Sequence, residues 1–194
     1  TRSHRHLWGK NNENPLAFLF QQGLNNAFIR EMYIGWNKFS QERPIENWGL
    51  DSKDTENSKL LLPAGIVIPV IKNKVLKSVF IQGFDDTGRN ELYLVPGSRT
   101  SFIFLGETQK PVALIHDLLD GLYIYQEAGE QLSILVLPFI EKSLTEDDLA
   151  MMQHFAPLYQ FVPQKVKTTD KKRLLPKNLD AAIIFYKSKE EILK

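Results

Sequence analysis

The chain has 194 residues, 43% of them hydrophobic and 24% charged, with a formal net charge of +1 and no cysteine. That balance fits a globular protein of one ordinary domain or two small ones sharing a core. It excludes disulfides, thiolate nucleophiles and zinc ribbons within the chain, and no apolar run approaches the roughly 20 residues that cross a bilayer. With so little net charge there is no global pull toward nucleic acid, so any such contact has to come from a local patch.

Residues 1–14, "TRSHRHLWGKNNEN", are polar and unpatterned and lack the apolar stretch of a secretory signal. A flexible tail is expected there, with His4 and His6 solvated, in a protein expected to be cytoplasmic and to keep away from membranes. Asn14 followed by Pro15 is a cap and a first helical position, which predicts a helix through "PLAFLFQQGL" ending near Gly23. A second short helix follows in "NNAFIREMY", and Gly35 breaks the pattern at "IGWN". In "RPIENWGL", Pro44 is placed to open a helical turn that Gly49 closes, and residues 51–59 form a polar loop. Then come β-rich runs, "GIVIPVIK" and "KVLKSVFIQGF", separated by the turn residue Asn73; "DDTG" is a further turn, and "NELYLVPG" and "SFIFLG" continue the sheet. Residues 65–105 thus read as an antiparallel meander.

After Lys110 the rhythm changes. Strand "VALIH" precedes helix "DLLDGLYIYQEAG", and strand "LSILVLPF" precedes helix "LTEDDLAMMQHFA", where Thr145 and Asp148 make a capping-box-like start. Strand "YQFVP" follows, then a basic loop at 164–177, a strand at 182–187 and a helical turn after Ser188. This β-α-β-α-β alternation predicts a small, mostly parallel sheet. The fold class is α/β, α+β overall. A mixed α/β subdomain at 15–108 is expected to pack on the β-α-β-α-β unit at 109–194.

The order of these segments resembles the catalytic core of bacterial-type DNA primases, particularly the phage and plasmid branch. "LAFLFQQGLNNAFIREMYIGWN" resembles that family's helix–"RGL"–helix–"LGWN" segment, "WGL" with the later "LPAGIVIPV" resembles the opening of its β-region, and "ELYLVPGS" resembles its "YLVPGS" strand and turn. "PVALIHDLLDGLYIYQEAG" stands where the family has the first motif of its TOPRIM domain, an apolar strand ending in Glu-Gly, then x-x-Asp-Ala-Leu. The likeness covers roughly residues 15–165. It implies a replication protein of a phage or mobile element, and, in an active member, a glutamate for acid–base work with an Asp-x-Asp pair holding Mg²⁺ for phosphoryl transfer.

The departures are chemical. The glutamate position aligns with His116 and the glycine with Asp117; Asp120 and Leu122 keep the pattern, and Gly121 stands for alanine. The Asp-x-Asp positions fall near Pro163 and Lys165, and a lysine there repels a divalent cation. The paired arginines that often end the family's second strand fall near Ile81 and Gln82. His116, Asp117 and Asp120 therefore read as vestiges of a catalytic motif, and no metal site or other cofactor is expected. Their simplest structural roles are a junction histidine bonded to backbone, a helix N-cap at Asp117, and an acceptor for backbone or basic partners at Asp120.

No P-loop or G-x-G-x-x-G occurs, and "VPGSR" lacks a nucleophile elbow, so a triad of Ser98 and His116 with an aspartate has no support. Met151, Met152 and Phe155, around His154, read as core. The densest positive patch is the loop with Lys165, Lys167, Lys171, Lys172 and Arg173. It is either a solvated face or a track for the phosphates of single-stranded DNA or RNA, weak and blind to sequence. Tyr33, Trp36, Phe39 and Trp48 divide between core packing and stacking on bases.

Three functions follow. The first is a primase-related module with a degenerate TOPRIM site that binds nucleic acid or other replication proteins. The second is an active, Mg²⁺-dependent primase or TOPRIM nuclease that draws ligands from Glu141, Asp147 and Asp148. The third is a structural interaction domain with no nucleic-acid role.

Overall fold

The structure is a computed structural model and describes residues 2–9, 13–44, 59–83, 91–98, 102–139, 150, 152, 154–155, 157–163 and 182–186. The chain divides into two compact units, Thr1–Thr100 and Ser101–Lys194.

The first unit begins with three helices, α1 (Arg2–Leu7), α2 (Glu13–Gln21) and α3 (Asn26–Glu31). The expected tail is thus a helix across its first half. One apolar residue fixes it: Leu7 is fully buried. His4 Nδ1 lies 2.8 Å from the Ile34 carbonyl, and the Arg30 guanidinium sits 3.6 Å over the Trp8 ring. The glycine of "IGWN" has a packing reason, because a Cβ on Gly35 would stand 2.6 Å from the backbone carbon of Ser3. Asn25 caps α3, its side-chain oxygen accepting from the Phe28 N–H at 2.9 Å.

Strands β1 (Gly35–Asn37), β4 (Gly65–Lys72), β5 (Val75–Gln82) and β6 (Leu92–Leu94) form an antiparallel sheet in the order β1-β4-β5-β6. Asn73 and Lys74, both at positive φ (52° and 62°), make the two-residue turn between β4 and β5, the geometry that matches the twist of paired strands. The Ser98 hydroxyl accepts from the Val79 N–H at 3.1 Å, which ties "VPGS" to the sheet. A second, two-stranded sheet pairs β2 (Gln41–Pro44) with β3 (Lys59–Leu62). Pro44 therefore ends a strand, where a proline that cannot donate is tolerated at an edge; the helical turn expected between it and Gly49 lies outside the described residues. Leu60 and Leu62 bring this ribbon onto a core with Val67, Val79, Ile81 and Val95. Trp48 and the "DDTG" turn lie outside the described residues.

In the second unit, β7 (Ile103–Leu105), β8 (Val112–Ile115), β9 (Ser133–Val136), β10 (Leu158–Pro163) and β11 (Ala182–Tyr186) are ordered β11-β10-β8-β9-β7. The β8–β9, β8–β10 and β10–β11 pairings are parallel, as the alternation predicted, and β7 runs antiparallel to β9. "IFL" at 103–105 therefore does not continue the first sheet. Every residue of β8 and β9 is buried, as expected of parallel strands covered on both faces. One face packs Phe102, Val112, Leu114, Leu135 and Leu158 with Met152 and Phe155, whose core role the sequence anticipated, and Phe104 stacks on Phe155 at 4.6 Å. His154 is exposed. Helix α4 (Leu118–Ala128) covers the other face through Leu118, Leu119 and Leu122. Among the described residues no helix is long and apolar enough to cross a membrane.

Candidate functional site

In open parallel sheets, chemistry gathers beyond the carboxyl ends of the strands. The first residue past β8 is His116, and the helix that follows begins two residues later.

Three strands hold the imidazole. Its Nδ1–H donates to the Leu137 carbonyl at the end of β9, at 3.1 Å, and its Nε2 accepts from the Gln160 side-chain amide of β10, at 3.0 Å. A carbonyl can only accept, so the ring is the neutral Nδ1–H tautomer. Burial pushes its pKa below the ordinary value, and the bond to Leu137 partly opposes that. Gln160 is itself fully buried, and its Oε1 has no partner among the described residues. Turning the amide over would set Oε1 against Nε2 and require a second ring proton, a buried cation that desolvation disfavours.

Asp117 is an N-cap: it is extended (φ −83°, ψ 130°), and its Oδ1 accepts from the Asp120 N–H at 2.9 Å. Asp120 lies in the first turn, where a carboxylate also meets the helix dipole favourably. Gly121 lets α4 approach the sheet, because a Cβ there would stand 2.4 Å from Val136 Cγ2.

The structure thus brings His116, Asp117 and Asp120 to one strand end and gives the first two structural partners. It adds Gln160, which the sequence did not single out; the available signal was one amide inside the apolar strand "LYQFVP". Among the described residues no group of three or more His, Asp and Glu side chains converges to hold an ion. Magnesium takes hard oxygen ligands in near-octahedral geometry. A neutral imidazole bonded at both nitrogens, beside a carboxylate committed to a cap, does not fit it. Lys165, Lys167, Lys171, Lys172 and Arg173 lie outside the described residues, as do Glu141, Asp147 and Asp148. Of the aromatics, Phe39 is 68% exposed and Tyr33 52% exposed, which leaves both rings available to a ligand.

No family model matches the sequence, and no curated protein matches it. Solved structures do. A DnaG catalytic core superposes with a TM-score of 0.65 at 10% identity, over 95% of this chain and 68% of that one. The RNA polymerase domain of Mycobacterium tuberculosis primase DnaG gives 0.63 at 10% identity, over 95% and 71%. The Aquifex aeolicus primase, comprising zinc-binding and RNA polymerase domains, gives 0.61 at 13% identity, over 97% and 56%. With β8, α4 and β9–β11 in one unit and the β1-β4-β5-β6 sheet in the other, the chain has the mixed α/β fold of DnaG-type primase catalytic cores, as the sequence resemblance implied.

Proposed function

We propose that this chain is a primase-related nucleic-acid- or partner-binding module of phage or mobile-element replication, with a TOPRIM-like strand end that no longer catalyses. One observation carries the reading. The position where the resemblance places a catalytic glutamate holds a neutral histidine, fixed by the Leu137 carbonyl and the Gln160 amide. The next position, the family's glycine, holds an aspartate that caps α4. Polar groups that bond one another in this way are scaffolding for a helix start and for the end of the central strand β8. The fold supports a role in replication, and one DnaG catalytic domain of the same fold is known bound to single-stranded DNA. The surface expected to meet nucleic acid is the basic stretch Lys165–Arg173, through phosphate contacts that do not read sequence.

Fluorescence anisotropy with labelled single strands tests the binding half. Binding should weaken steeply with salt and be equal across sequences, and the alanine variant of Lys171, Lys172 and Arg173 should bind more weakly with a shallower salt slope. A triple variant that binds like the parent would remove the basic stretch from the reading. Primer extension on a single-stranded template with Mg²⁺ or Mn²⁺ tests the other half. No product is expected; metal-dependent synthesis lost in Asp120→Asn would overturn the degenerate site in favour of an enzyme.

A further inference from the structure

One strand of the first unit has an open edge. Strand β4 runs from Gly65 to Lys72, and on its β1 side it is paired only over Gly65–Val67. The cause lies in the residues before β1. Tyr33 sits at φ 53°, and the Tyr33 and Ile34 N–H groups donate to the Arg30 and Ile29 carbonyls, closing the end of α3. Those donors are spent on the helix, and β1 does not extend along Pro69. Backbone groups in an antiparallel ladder alternate in direction. Val79, opposite Pro69, turns its groups to the far side: its carbonyl accepts from Val95 and its N–H donates to Ser98 Oγ. Pro69 therefore aims its carbonyl at the open edge, and its nitrogen carries no hydrogen, which suits an unpaired side. The two-residue turn at Asn73 and Lys74 makes Lys72 and Val75 the bonded pair, so Ile71 faces outward with both its N–H and its carbonyl. Among the described residues no strand pairs with these three groups.

The side chains around this edge are apolar and cationic. Ile71 is 44% exposed and Val75 49% exposed. Pro69 and Ile71 line a cavity of about 400 Å³ whose charged residues are Arg2 from α1, Arg43 from β2 and Lys74 from the β4–β5 turn, with no carboxylate among them. Lys72, also exposed, adds a fourth cation to the strand end. Among the described residues no acidic group pairs with Arg43 or Lys74.

We propose that this edge docks an acidic protein segment, which adds to β4 as a short strand, sets an aliphatic side chain beside Pro69 and Ile71, and places its carboxylates on Arg43, Lys74 and Arg2. Strand addition gains affinity from main-chain hydrogen bonds and selects through side chains at alternate positions. A peptide backbone brings, in one chain, donors for the Pro69 and Ile71 carbonyls and an acceptor for the Ile71 N–H; phosphates can only accept. The exposed apolar groups at the edge are aliphatic, whereas stacking on bases takes flat rings. A second copy of this chain would bring Lys72 and Lys74 against cations of their own sign. The inference rests on the partner-binding half of the proposed function, and the basic stretch Lys165–Arg173 takes no part in it.

The experiment titrates the full chain into a fluorescein-labelled peptide of about eight residues, aspartates around one central leucine. Binding should saturate at roughly 100 μM or below. It should weaken at least roughly tenfold when the central peptide N–H groups are N-methylated, which removes the ladder donors and leaves the charge unchanged, and to a similar degree when the leucine is replaced by serine. Arg43→Gln with Lys74→Asn should weaken it at least roughly tenfold; asparagine tolerates the positive φ at position 74, so the turn survives. In isotope-labelled protein, hydrogen exchange of the Ile71 amide should slow on binding, while that of Lys72, already paired with Val75, should not change. The alanine variant of Lys171, Lys172 and Arg173 should bind the peptide as the parent does, so failure here and failure of strand binding are read separately. Four results would overturn the site: no saturable binding up to about 1 mM, an N-methylated peptide as tight as its parent, indifference to the Arg43 and Lys74 variant, or a thymidine strand of about twelve nucleotides displacing the peptide, which would give the surface to nucleic acid.

Discussion

The strand end of the second unit and the cavity of the first unit are opposite solutions for polar groups. Around His116, imidazole is matched to carbonyl, amide N–H to imidazole and carboxylate to helix N–H, and the Gln160 Oε1 is the one atom of the cluster left without a partner among the described residues. In the first unit's cavity of about 400 Å³, lined by Val67, Pro69 and Val79, Arg43 and Lys74 have no carboxylate beside them among the described lining residues. Polar groups that satisfy each other stabilise a fold; solvated cations with no partner among the described residues add little to it. Position in a familiar motif is therefore a poorer guide to activity than whether the polar groups there are already used.

The largest effect expected from probing this contrast is at Gly121. If the strand end is scaffolding, α4 has to sit tightly against β9. An added methyl would lie 2.4 Å from Val136 Cγ2, so Val136, itself fully buried, has to move. Gly121→Ala should lower stability by up to about 2 kcal/mol in urea unfolding, overpacking of about 1–3 kcal/mol being offset by about 1 kcal/mol of improved helix propensity. Val136→Ala in the same chain should restore part of it. A Gly121→Ala protein as stable as the parent would mean that α4 floats, and the matched hydrogen bonds beside it would lose their force.

Asp117→Ala should have a smaller effect, a loss of about 1 kcal/mol, because the Asp120 N–H loses its acceptor. Asp117→Ser should restore most of it, since a hydroxyl caps equally well. The discriminating result is the sign. A carboxylate kept for chemistry and strained by like charges would give a more stable protein when removed, and that would reopen the catalytic reading.

These two regions differed in how far the sequence exposed them. The parallel order of β8, β9 and β10 was legible because unbroken apolar runs separated by capped helices have few other solutions. The Asp117 cap and the Asn73 turn were legible because both are local. What stayed hidden was set by distant partners. Helix α1 offers one apolar residue in "RSHRHL", and its position depends on Ile34 and Trp8 contacts that no local pattern carries. "IFL" is a strand in either sheet, and only its pairing with Ser133–Val136 places it. Pro44 fits a helix start as well as a strand edge. His116 and Gln160 lie 44 residues apart. The cavity's cations are scattered singly over three segments, whereas the eye goes to the run at Lys165–Arg173.

The smallest effect on stability, and the finest test of the matched strand end, is at Gln160. Its amide N–H donates to His116 Nε2, which holds that nitrogen unprotonated, while its own oxygen is buried without a partner among the described residues. Gln160→Met removes a useful donor and an unsatisfied acceptor together at nearly constant volume, so stability near pH 7.5 should stay within about 1 kcal/mol of the parent. The pH dependence should change more. Burial lowers the His116 pKa from its ordinary 6.5, so below that pH the unfolded chain binds a proton that the folded one resists. Stability is then full above about pH 6.5 and falls as the pH drops toward the depressed folded value. Without the Gln160 donor the Nε2 lone pair is free to take a proton. The folded pKa should move back toward 6.5, and the acid-side loss of stability should shrink. NMR titration of the His116 ring in both proteins, with urea unfolding at pH 7.5 and 5.5, reads the two quantities separately. An unchanged ring pKa in Gln160→Met would mean that the Gln160 contact does not govern the proton, and that the imidazole at the strand end is available for other uses.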